Sequence, residues 1–398
     1  MPWKETSAMD ERMKFIAEYL KDESTISDLC QAYGISRPTA YKWIERYEEE
    51  GPAGLEDRSR APHHHPNAVP LEQEEAIAAF RRAHMSWGPE KLLARIRPKY
   101  PQWETWPAAS TVGEIVKRHG LIIPRRRRNK ATPTPGPLTP YEEINNVWCA
   151  DFKGHFRTGD GTRCDPLTIS DGHSRFLLRC QSMVRPQLEA VQGLFEATFR
   201  EYGLPRVIRT DNGVPFASTG LGGLSRLSVH WIRLGIEPER IRPGNPQENG
   251  RHERMHRTLK EEAITPPRAT IRAQQRAFDR FREEYNYERP HEALGQIPPG
   301  DIYEPSPRPF PARLPEIEYP SDMVLRRVKN HGEICWKGEK MFLSETLARE
   351  TVGLRQTDED TWRIYFAHLE LAELDARKLE IRPLGKPRGG GGRRPRRR

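Results

Sequence analysis

The chain has 398 residues, enough for about two to four domains, of which 35% are hydrophobic and 30% charged. No apolar run approaches the roughly 20 residues of a membrane span, the N-terminus lacks a signal-peptide pattern, and the five cysteines form no C-x-x-C pair. These features disfavour membrane proteins, disulfide frameworks and zinc ribbons. The net charge of +9 is concentrated in two basic stretches, 125–130 and 386–398, so we expect a polyanionic partner in a reducing cytoplasm.

Residues 1–52 are predicted to form a helix-turn-helix DNA-binding domain. Gly34 supplies the turn after the second helix, and Ser36 can cap a third helix. The apolar face of the first helix is predicted to comprise Met13, Ile16, Ala17 and Leu20. The outward residues of the third helix, predicted to enter the DNA major groove, are Arg37, Thr39, Tyr41 and Lys42. The alternative is an ordinary three-helix packing unit.

Two linkers flank a second helical unit. Residues 53–70 are polar and proline-rich, and the three histidines at 63–65 are interpreted as solvated linker residues, although they could bind a metal. Residues 71–122 contain amphipathic segments that predict helices. Residues 123–140 form a basic, proline-rich linker. Its arginine run, predicted to follow DNA phosphates, is Arg125, Arg126, Arg127 and Arg128.

The stretch 141–305 has the element order of an α/β domain. A strand ends at Asp151, a hairpin and a helix follow, and the short strand 207–208 leads to Asp211. Asp171 is a further acidic residue, but its place at the hairpin turn is explained by turn chemistry. This succession predicts a sheet covered by helices.

Three acidic residues of this domain predict a metal site. Asp151 and Asp211 both follow apolar strands, where a buried unpaired carboxylate is costly. Glu253 lies on a basic helix and shares one face with Arg257 and Lys260. Carboxylates from two strands and a helix can hold two divalent ions about 3.5–4 Å apart. The two cations on the helix are predicted to hold a nucleic-acid backbone.

The rest of the chain is predicted to be a loop, a β domain and a tail. Residues 214–244 contain a Gly/Ser-rich insertion that predicts a mobile loop beside the metal site. Residues 320–383 contain short, alternating apolar runs and are predicted to form a small β-barrel. Residues 384–398 are predicted to be a disordered basic tail.

Three motifs resemble, in order, those of the integrase-core (DDE) transposases of bacterial insertion sequences, in the retroviral-integrase superfamily. They are Trp148-x-x-Asp151, Thr210-Asp211-Asn212-Gly213, and Asn245-Pro246-Gln247-x-x-Gly250-x-x-Glu253 followed by Lys260. The resemblance covers about 137–305 well and the flanks more loosely. It implies a multidomain protein with all-α helix-turn-helix units, the second of them winged-helix-like. A ribonuclease-H-like α/β core and a C-terminal β-barrel follow.

The resemblance also implies an activity, namely metal-dependent DNA strand cleavage and strand transfer. Asp151, Asp211 and Glu253 are then both the catalytic residues and the ligands of two Mg²⁺ ions, for which Mn²⁺ can substitute. The implied partners are double-stranded DNA, as element ends and as target, and further copies of the chain in a dimer or tetramer. The implied location is the bacterial cytoplasm, in association with the nucleoid.

Two other functions and one rival residue remain open from the sequence. His252-Glu253-x-x-His256 matches the zinc-binding motif of metalloproteases, whereas a transposase interpretation makes both histidines helix-surface residues near DNA. A transposase-derived DNA-binding regulator with an inactive core is the second alternative. Glu248 competes with Glu253 as the third carboxylate, but the local motif and the shared helix face favour Glu253.

Overall fold

The chain forms two units, Met1–Val69 and Pro70–Arg398, in a computed structural model. The structure describes residues 7–59, 68–123, 138–218, 220–242 and 246–384. The predicted arginine run at 125–128 and the predicted basic tail therefore lie outside the described residues, apart from Leu384. Within the described ranges, no helix is both long and apolar enough to span a lipid bilayer.

The first unit contains the three helices predicted for a helix-turn-helix. They are α1 (Ala8–Tyr19), α2 (Ile26–Tyr33) and α3 (Arg37–Glu50). A serine or threonine hydroxyl caps the start of each helix, and Gly34, with φ of 61°, closes α2 in the left-handed conformation that glycine favours. The predicted apolar face of α1 is wrong in part, because Met13 and Leu20 are 40% and 61% exposed and Ala17 is exposed as well. Phe15 is buried beside Ile16 instead and supplies a larger apolar surface.

The second helical unit packs against the central domain. It consists of α4 (Leu71–Ala83), α5 (Pro89–Ile96) and α6 (Ala109–Arg118). Its own core contains Ile77, Trp87, Leu92, Ile96, Val112 and Ile115. Arg289 of the central domain donates to Glu262 at 2.5 Å and to Ser86, in the loop between α4 and α5, at 3.0 Å. A partly buried polar contact therefore fixes this unit to the domain that follows.

The central domain is built on a mixed five-stranded sheet, and the sequence predicts a sheet without its strand number or order. The strands are β1 (Val147–Phe152), β2 (Phe156–Arg157), β3 (Arg163–Cys164), β4 (Leu167–Asp171), β5 (Leu177–Gln181), β6 (Val207–Thr210) and β7 (Glu237–Arg240). The sheet order is β5-β4-β1-β6-β7, and β2 and β3 form a separate small hairpin. Strand β1 is antiparallel to β4 and parallel to β6.

Helices cover both faces of this sheet. They are α7 (Leu188–Tyr202), α8 (Arg226–Arg233), α9 (Gly250–Leu259) and α10 (Ile271–Glu283). Phe195 and Phe199 of α7 and Trp231 of α8 pack on one face with Trp148 of β1. Residues of α9 and α10 pack with Leu177 and Cys180 of β5 on the other face. The first four residues of β1 are buried, which explains the continuous apolar character of that run.

The prediction of a loop for the Gly/Ser-rich insertion, residues 218–228, is wrong at its end, because α8 already begins at Arg226. Ser225 and Ser228 form a reciprocal cap that starts α8, and β7 is an edge strand of the central sheet. The glycine-rich part before it includes a turn with Gly222 and Gly223 at φ of 62° and 69°.

The C-terminal domain is an antiparallel β structure that shares its core with α8. Its strands are β8 (Val324–Arg327), β9 (Glu333–Trp336), β10 (Glu339–Phe342), β11 (Thr351–Asp358), β12 (Thr361–Phe366), β13 (Leu369–Asp375) and β14 (Glu380–Pro383). The five-stranded sheet has the order β14-β13-β12-β11-β8, and β9 pairs with β10 separately. The predicted closed barrel is not confirmed, since this strand order leaves β14 and β8 as edges.

Candidate active site

Asp151 lies near the carboxyl end of β1, where the buried run of the strand reaches solvent. Its side chain is 22% exposed. Burial raises the pKa of Asp151 to about 7, and the negative charges of Asp211 and Glu253 act in the same direction. The backbone N–H of Phe152 and the charge of Lys153 oppose this shift without reversing it. The charges of Asp211 and Glu253 therefore act on the Asp151 carboxyl group.

Asp211 follows β6, the strand that pairs in parallel with β1. In the parallel pairing, Cys149 of β1 is opposite Arg209 of β6, so both aspartates stand two residues beyond a matched pair. The carboxyl ends of parallel strands meet at one edge of the sheet, which brings these residues together. Asp211 Oδ1 accepts a hydrogen bond from the N–H of Gly213 at 3.0 Å, which orients the carboxylate in the turn.

Glu253 lies in the first turn of α9 and is exposed. Arg257 and Lys260 are exposed as well, while the buried face of the helix carries His252, Met255, His256 and Leu259. The alternative carboxylate, Glu248, lies in the short turn Pro246–Asn249 that precedes α9.

Glu248 forms hydrogen bonds with Arg242. Its carboxylate accepts from the backbone N–H of Arg242 at 2.7 Å and from Nε of Arg242 at 2.5 Å. These hydrogen bonds hold the pKa of Glu248 below its ordinary value. Glu248 thus ties the chain before α9 to residues after β7, whereas Glu253 acts electrostatically on Asp151.

The carboxylates suit a hard divalent cation in chemistry. Among the described residues, no three His, Cys, Asp or Glu side chains are close enough to bind one ion as they stand. Nevertheless, the negative charges of Asp211 and Glu253 raise the pKa of Asp151, so both repel its ionised carboxylate. A divalent cation relieves such repulsion, and carboxylate oxygens are the ligands that Mg²⁺ prefers. The donor set therefore fits Mg²⁺.

The two histidines of the His-Glu-x-x-His sequence are buried, so their predicted place on the helix surface is wrong. His252 is 1% exposed and His256 6%. Both Nε2 atoms lie 2.7 Å from Thr168 Oγ1 of β4, and His252 Nδ1 lies 2.9 Å from Ser170 Oγ. Burial lowers the pKa of His252 to about 3 and that of His256 to about 2, which keeps both rings neutral.

This arrangement argues against the zinc metalloprotease alternative. In such an enzyme both histidines bind one zinc ion. Here the hydroxyl of Thr168 occupies the point on which the two Nε2 atoms converge. The sequence patterns did not single out Thr168 and Ser170. The signal that could have found them was two hydroxyl residues at alternate positions of an otherwise apolar strand, on the same face.

The predicted DNA-contacting residues of α3 differ in exposure. Arg37, Tyr41 and Lys42 are exposed. Thr39 is half-buried, and its hydroxyl lies 2.8 Å from Ser36 Oγ at the start of the helix. The position of Thr39 is therefore explained by its contact with the cap of α3, and its predicted DNA contact stays a prediction. Arg125, Arg126, Arg127 and Arg128 lie outside the described residues.

Models of known domain families match most of the chain in successive stretches. Two integrase core domain models match residues 142–246 and 234–299. A helix-turn-helix domain matches 11–63 and a homeodomain-like domain matches 39–116. The C-terminal domain of IS481 family transposases matches 322–382. The multidomain layout predicted from the sequence is therefore confirmed.

Similar proteins include products of bacterial insertion elements. An uncharacterized 39.2 kDa protein of insertion element IS476 from Xanthomonas euvesicatoria is 27% identical over 253 residues, which is 59% of this chain and 66% of the relative. The transposase for insertion sequence element IS904 from Lactococcus lactis subsp. lactis (strain IL1403) is 29% identical over 162 residues, 40% of this chain and 61% of the relative. The chain thus spans slightly less than two thirds of the length of these relatives.

A solved integrase core also aligns with part of this chain. The catalytic core domain of HTLV-2 integrase, in complex with magnesium and in a trimeric form, aligns at 16% identity with a TM-score of 0.32. The alignment covers 40% of this chain and 97% of that chain.

Proposed function

The chain belongs to the DDE transposases of the retroviral-integrase superfamily, and we propose that it binds the ends of a mobile element, cuts DNA there and joins the ends to target DNA. The observation that carries this proposal is the electrostatic coupling of Asp151 with Asp211 and Glu253 at one edge of the sheet. Carboxylates grouped in this way can hold the metal ions that catalyse hydrolysis and transfer of phosphodiesters.

Within this proposal, Asp151, Asp211 and Glu253 hold two Mg²⁺ ions, and Mn²⁺ can replace them. When bound, the metal supplies Lewis-acid activation of the attacking water or 3′-hydroxyl and stabilises the leaving oxygen. The chain itself contributes positioning. The strand pairing sets the two aspartates side by side, and α9 presents Glu253 with Arg257 and Lys260 on its exposed face, where the two cations bind DNA phosphates.

The DNA-binding parts of the proposal rest on the two helical units. Arg37, Tyr41 and Lys42 of α3 are exposed and are proposed to read the element end in the major groove. The 125–128 arginines are proposed to follow phosphates. Two ends must be brought together for integration, so we propose a dimer or tetramer on DNA, acting on the chromosome in the bacterial cytoplasm.

A strand-transfer assay tests the function. The full chain is mixed with Mg²⁺, a supercoiled plasmid and a labelled, pre-cut DNA fragment taken from the inverted repeats that flank its gene. We expect a joined product that depends on Mg²⁺. It should be lost with Asp211→Asn and absent with a scrambled fragment. Specific binding of the fragment without joining under any of these conditions points instead to the inactive, DNA-binding regulator.

A further inference from the structure

The buried face of α9 is attached to β4 by directional hydrogen bonds. The hydroxyl of Thr168 donates to the backbone carbonyl of Asp151 at 3.1 Å. With its single proton used there, Thr168 Oγ1 accepts from Nε2–H of His252 and from Nε2–H of His256, each at 2.7 Å. His252 Nδ1 then accepts from the hydroxyl of Ser170 at 2.9 Å.

This network joins two of the acidic residues through the protein interior. Glu253 is the neighbour of His252 on α9, and the Asp151 carbonyl belongs to the backbone that carries the second carboxylate. Thr168 lies opposite Asp151 in the sheet register, so a single hydroxyl contacts both elements. We propose that His252 and His256, with Thr168, form a clamp that positions Glu253 relative to Asp151. The inference rests on the proposed function of those carboxylates.

Ordinary core packing accounts less well for these side chains. Met255 and Leu259 already supply apolar contacts from the same face of α9 to the core. Adding two neutral imidazoles and two hydroxyls to such an interface gains little stability, because each polar group must be taken out of water. Their benefit is directional, since hydrogen bonds fix the rotation and height of a helix more narrowly than aliphatic contacts do.

A second contact restrains the start of the same helix. Arg251 Nη1 donates to the carbonyl of Gly172 at 2.8 Å, just beyond β4. The Arg251 guanidinium also lies 4.3 Å from the ring centre of Tyr141, and Arg209 of β6 lies 4.5 Å from the same ring. The first turn of α9 is thus tied to β4 and indirectly to the strand that precedes Asp211. These contacts restrain the N-terminal end of α9 independently of the histidines.

The first experiment removes one hydroxyl without changing side-chain shape. Thr168→Val leaves both Nε2–H groups and the Asp151 carbonyl without this partner, and Thr168→Ser keeps it. The matched control is Thr198→Val on α7, which is equally buried and loses a hydroxyl that donates to the Leu194 carbonyl at 2.7 Å. In the full-length, metal-free protein, Thr168→Val is expected to speed amide hydrogen exchange across α9 by about 10-fold, with Thr168→Ser and Thr198→Val near the parent.

The second measurement is the Mg²⁺ dependence of strand transfer. Misplacing Glu253 weakens metal binding, so Thr168→Val is expected to raise the half-saturating Mg²⁺ concentration by about 10-fold while much of the rate returns at saturation. A purely structural defect lowers the active fraction and leaves the half-saturating concentration unchanged. His256→Gln, whose amide can donate from the same place, is expected to keep more activity than His256→Leu.

Different results would contradict the proposed strand-transfer function and the proposed clamp. If the parent protein joins no DNA, the proposed function is wrong, and the exchange experiment still decides whether the clamp restrains α9. If the parent protein is active but Thr168→Val exchanges like the parent, or like Thr198→Val, the clamp is overturned alone. An unchanged half-saturating Mg²⁺ concentration in Thr168→Val also overturns it.

Discussion

At the scale of single residues, the two glutamates before and on α9 have different surroundings. Glu248 accepts two hydrogen bonds from Arg242, whereas Glu253 is exposed and raises the pKa of Asp151. We therefore expect Glu253→Gln to abolish strand transfer while leaving binding of the element end intact. Glu248→Gln keeps the hydrogen-bonding shape and is expected to retain substantial activity. Joining of a pre-cut labelled end to plasmid measures both, and an active Glu253→Gln beside an inactive Glu248→Gln would reverse the assignment.

The raised pKa of Asp151 predicts a dependence of stability on pH in metal-free protein. Its carboxyl ionises near pH 7 in the folded state but near its ordinary value of 3.8 when unfolded. Between these values the folded state binds more protons, so Asp151 lowers stability as pH rises from about 4 to 7, by about 1.4 kcal/mol for each pKa unit that is realised. Asp151→Asn removes this effect and is expected to melt higher than the parent at pH 8, but not at pH 4, in EDTA.

Calorimetry or dye-based melting from pH 4 to 8 measures this difference. Each kcal/mol gained is expected to raise Tm by about 2–4 °C. Mg²⁺ provides the complementary test, because it is expected to stabilise the parent at pH 8 and not Asp151→Asn. A constant difference in Tm across the pH range contradicts the assigned titration.

The sequence contained enough information to predict the aspartates but not the histidines. Asp151 and Asp211 interrupt or follow apolar strands, so a polar group at the edge of a sheet could be inferred. His252 and His256 share the i, i+4 spacing of a buried face, which Met255 and Leu259 complete. Histidine counts as polar, so the sequence alone favours a surface position for both. Their burial depends on Thr168, a partner 84 and 88 residues away in sequence.

Among the structural elements, the glycine-rich insertion packs against the C-terminal domain. Leu221 and Leu224 are buried with Leu343 and Trp336 of the C-terminal domain and with Ile232 of α8. Its composition indicated a loop because glycine and serine mark turns. The burial could not be inferred, since the residues of the C-terminal domain that share this core lie more than a hundred positions later.

Truncating one of these leucines tests the docking role. Leu224→Ala is expected to destabilise the protein by about 2–4 kcal/mol, because it leaves a cavity in a core shared by two domains. Leu325→Ala is the matched control on β8, where the side chain is 49% exposed and a change below about 0.5 kcal/mol is expected. Urea unfolding followed by tryptophan fluorescence measures both. Equal effects of the two substitutions contradict the assignment.

Helix α3 is proposed to read the element end, and its exposed cations allow a test of this role. Replacing Arg37 and Lys42 by alanine is expected to weaken binding to the element end by roughly a few kcal/mol at most and to reduce discrimination against scrambled DNA. The control replaces Lys14 and Lys21, which are exposed cations of the same unit outside α3. Binding titrations at fixed salt compare the variants. Equal losses from both pairs indicate a general charge effect and contradict major-groove recognition by α3.

At the scale of the whole molecule, the order of the domains was predictable and their contacts were not. Helical periodicity, strand patterns and linkers indicated separate units. However, Arg289, Glu262 and Ser86 fix the second helical unit to the central domain across as many as 203 residues of sequence. Polar residues at such a contact resemble ordinary surface residues until their partners are known. The closed β-barrel was inferred from alternating patterns, which do not determine whether a sheet closes.

The basic residues at 386–398 are expected to bind DNA without sequence specificity. This stretch carries seven cations and no acidic residue, and it follows β14, which ends at Pro383. Its removal is expected to leave the melting temperature unchanged, because it deletes no described core residue. Each DNA phosphate that a cation no longer neutralises reduces the magnitude of the slope of log K against log salt by about 0.9, so the slope is expected to become shallower by up to about 6.

A variant of equal length with all seven cations changed to glutamine distinguishes the effect of lost charge from the effect of a shorter chain. Binding to nonspecific duplex DNA between low and moderate salt measures the slope, and an unchanged slope in both variants shows that these cations do not bind DNA.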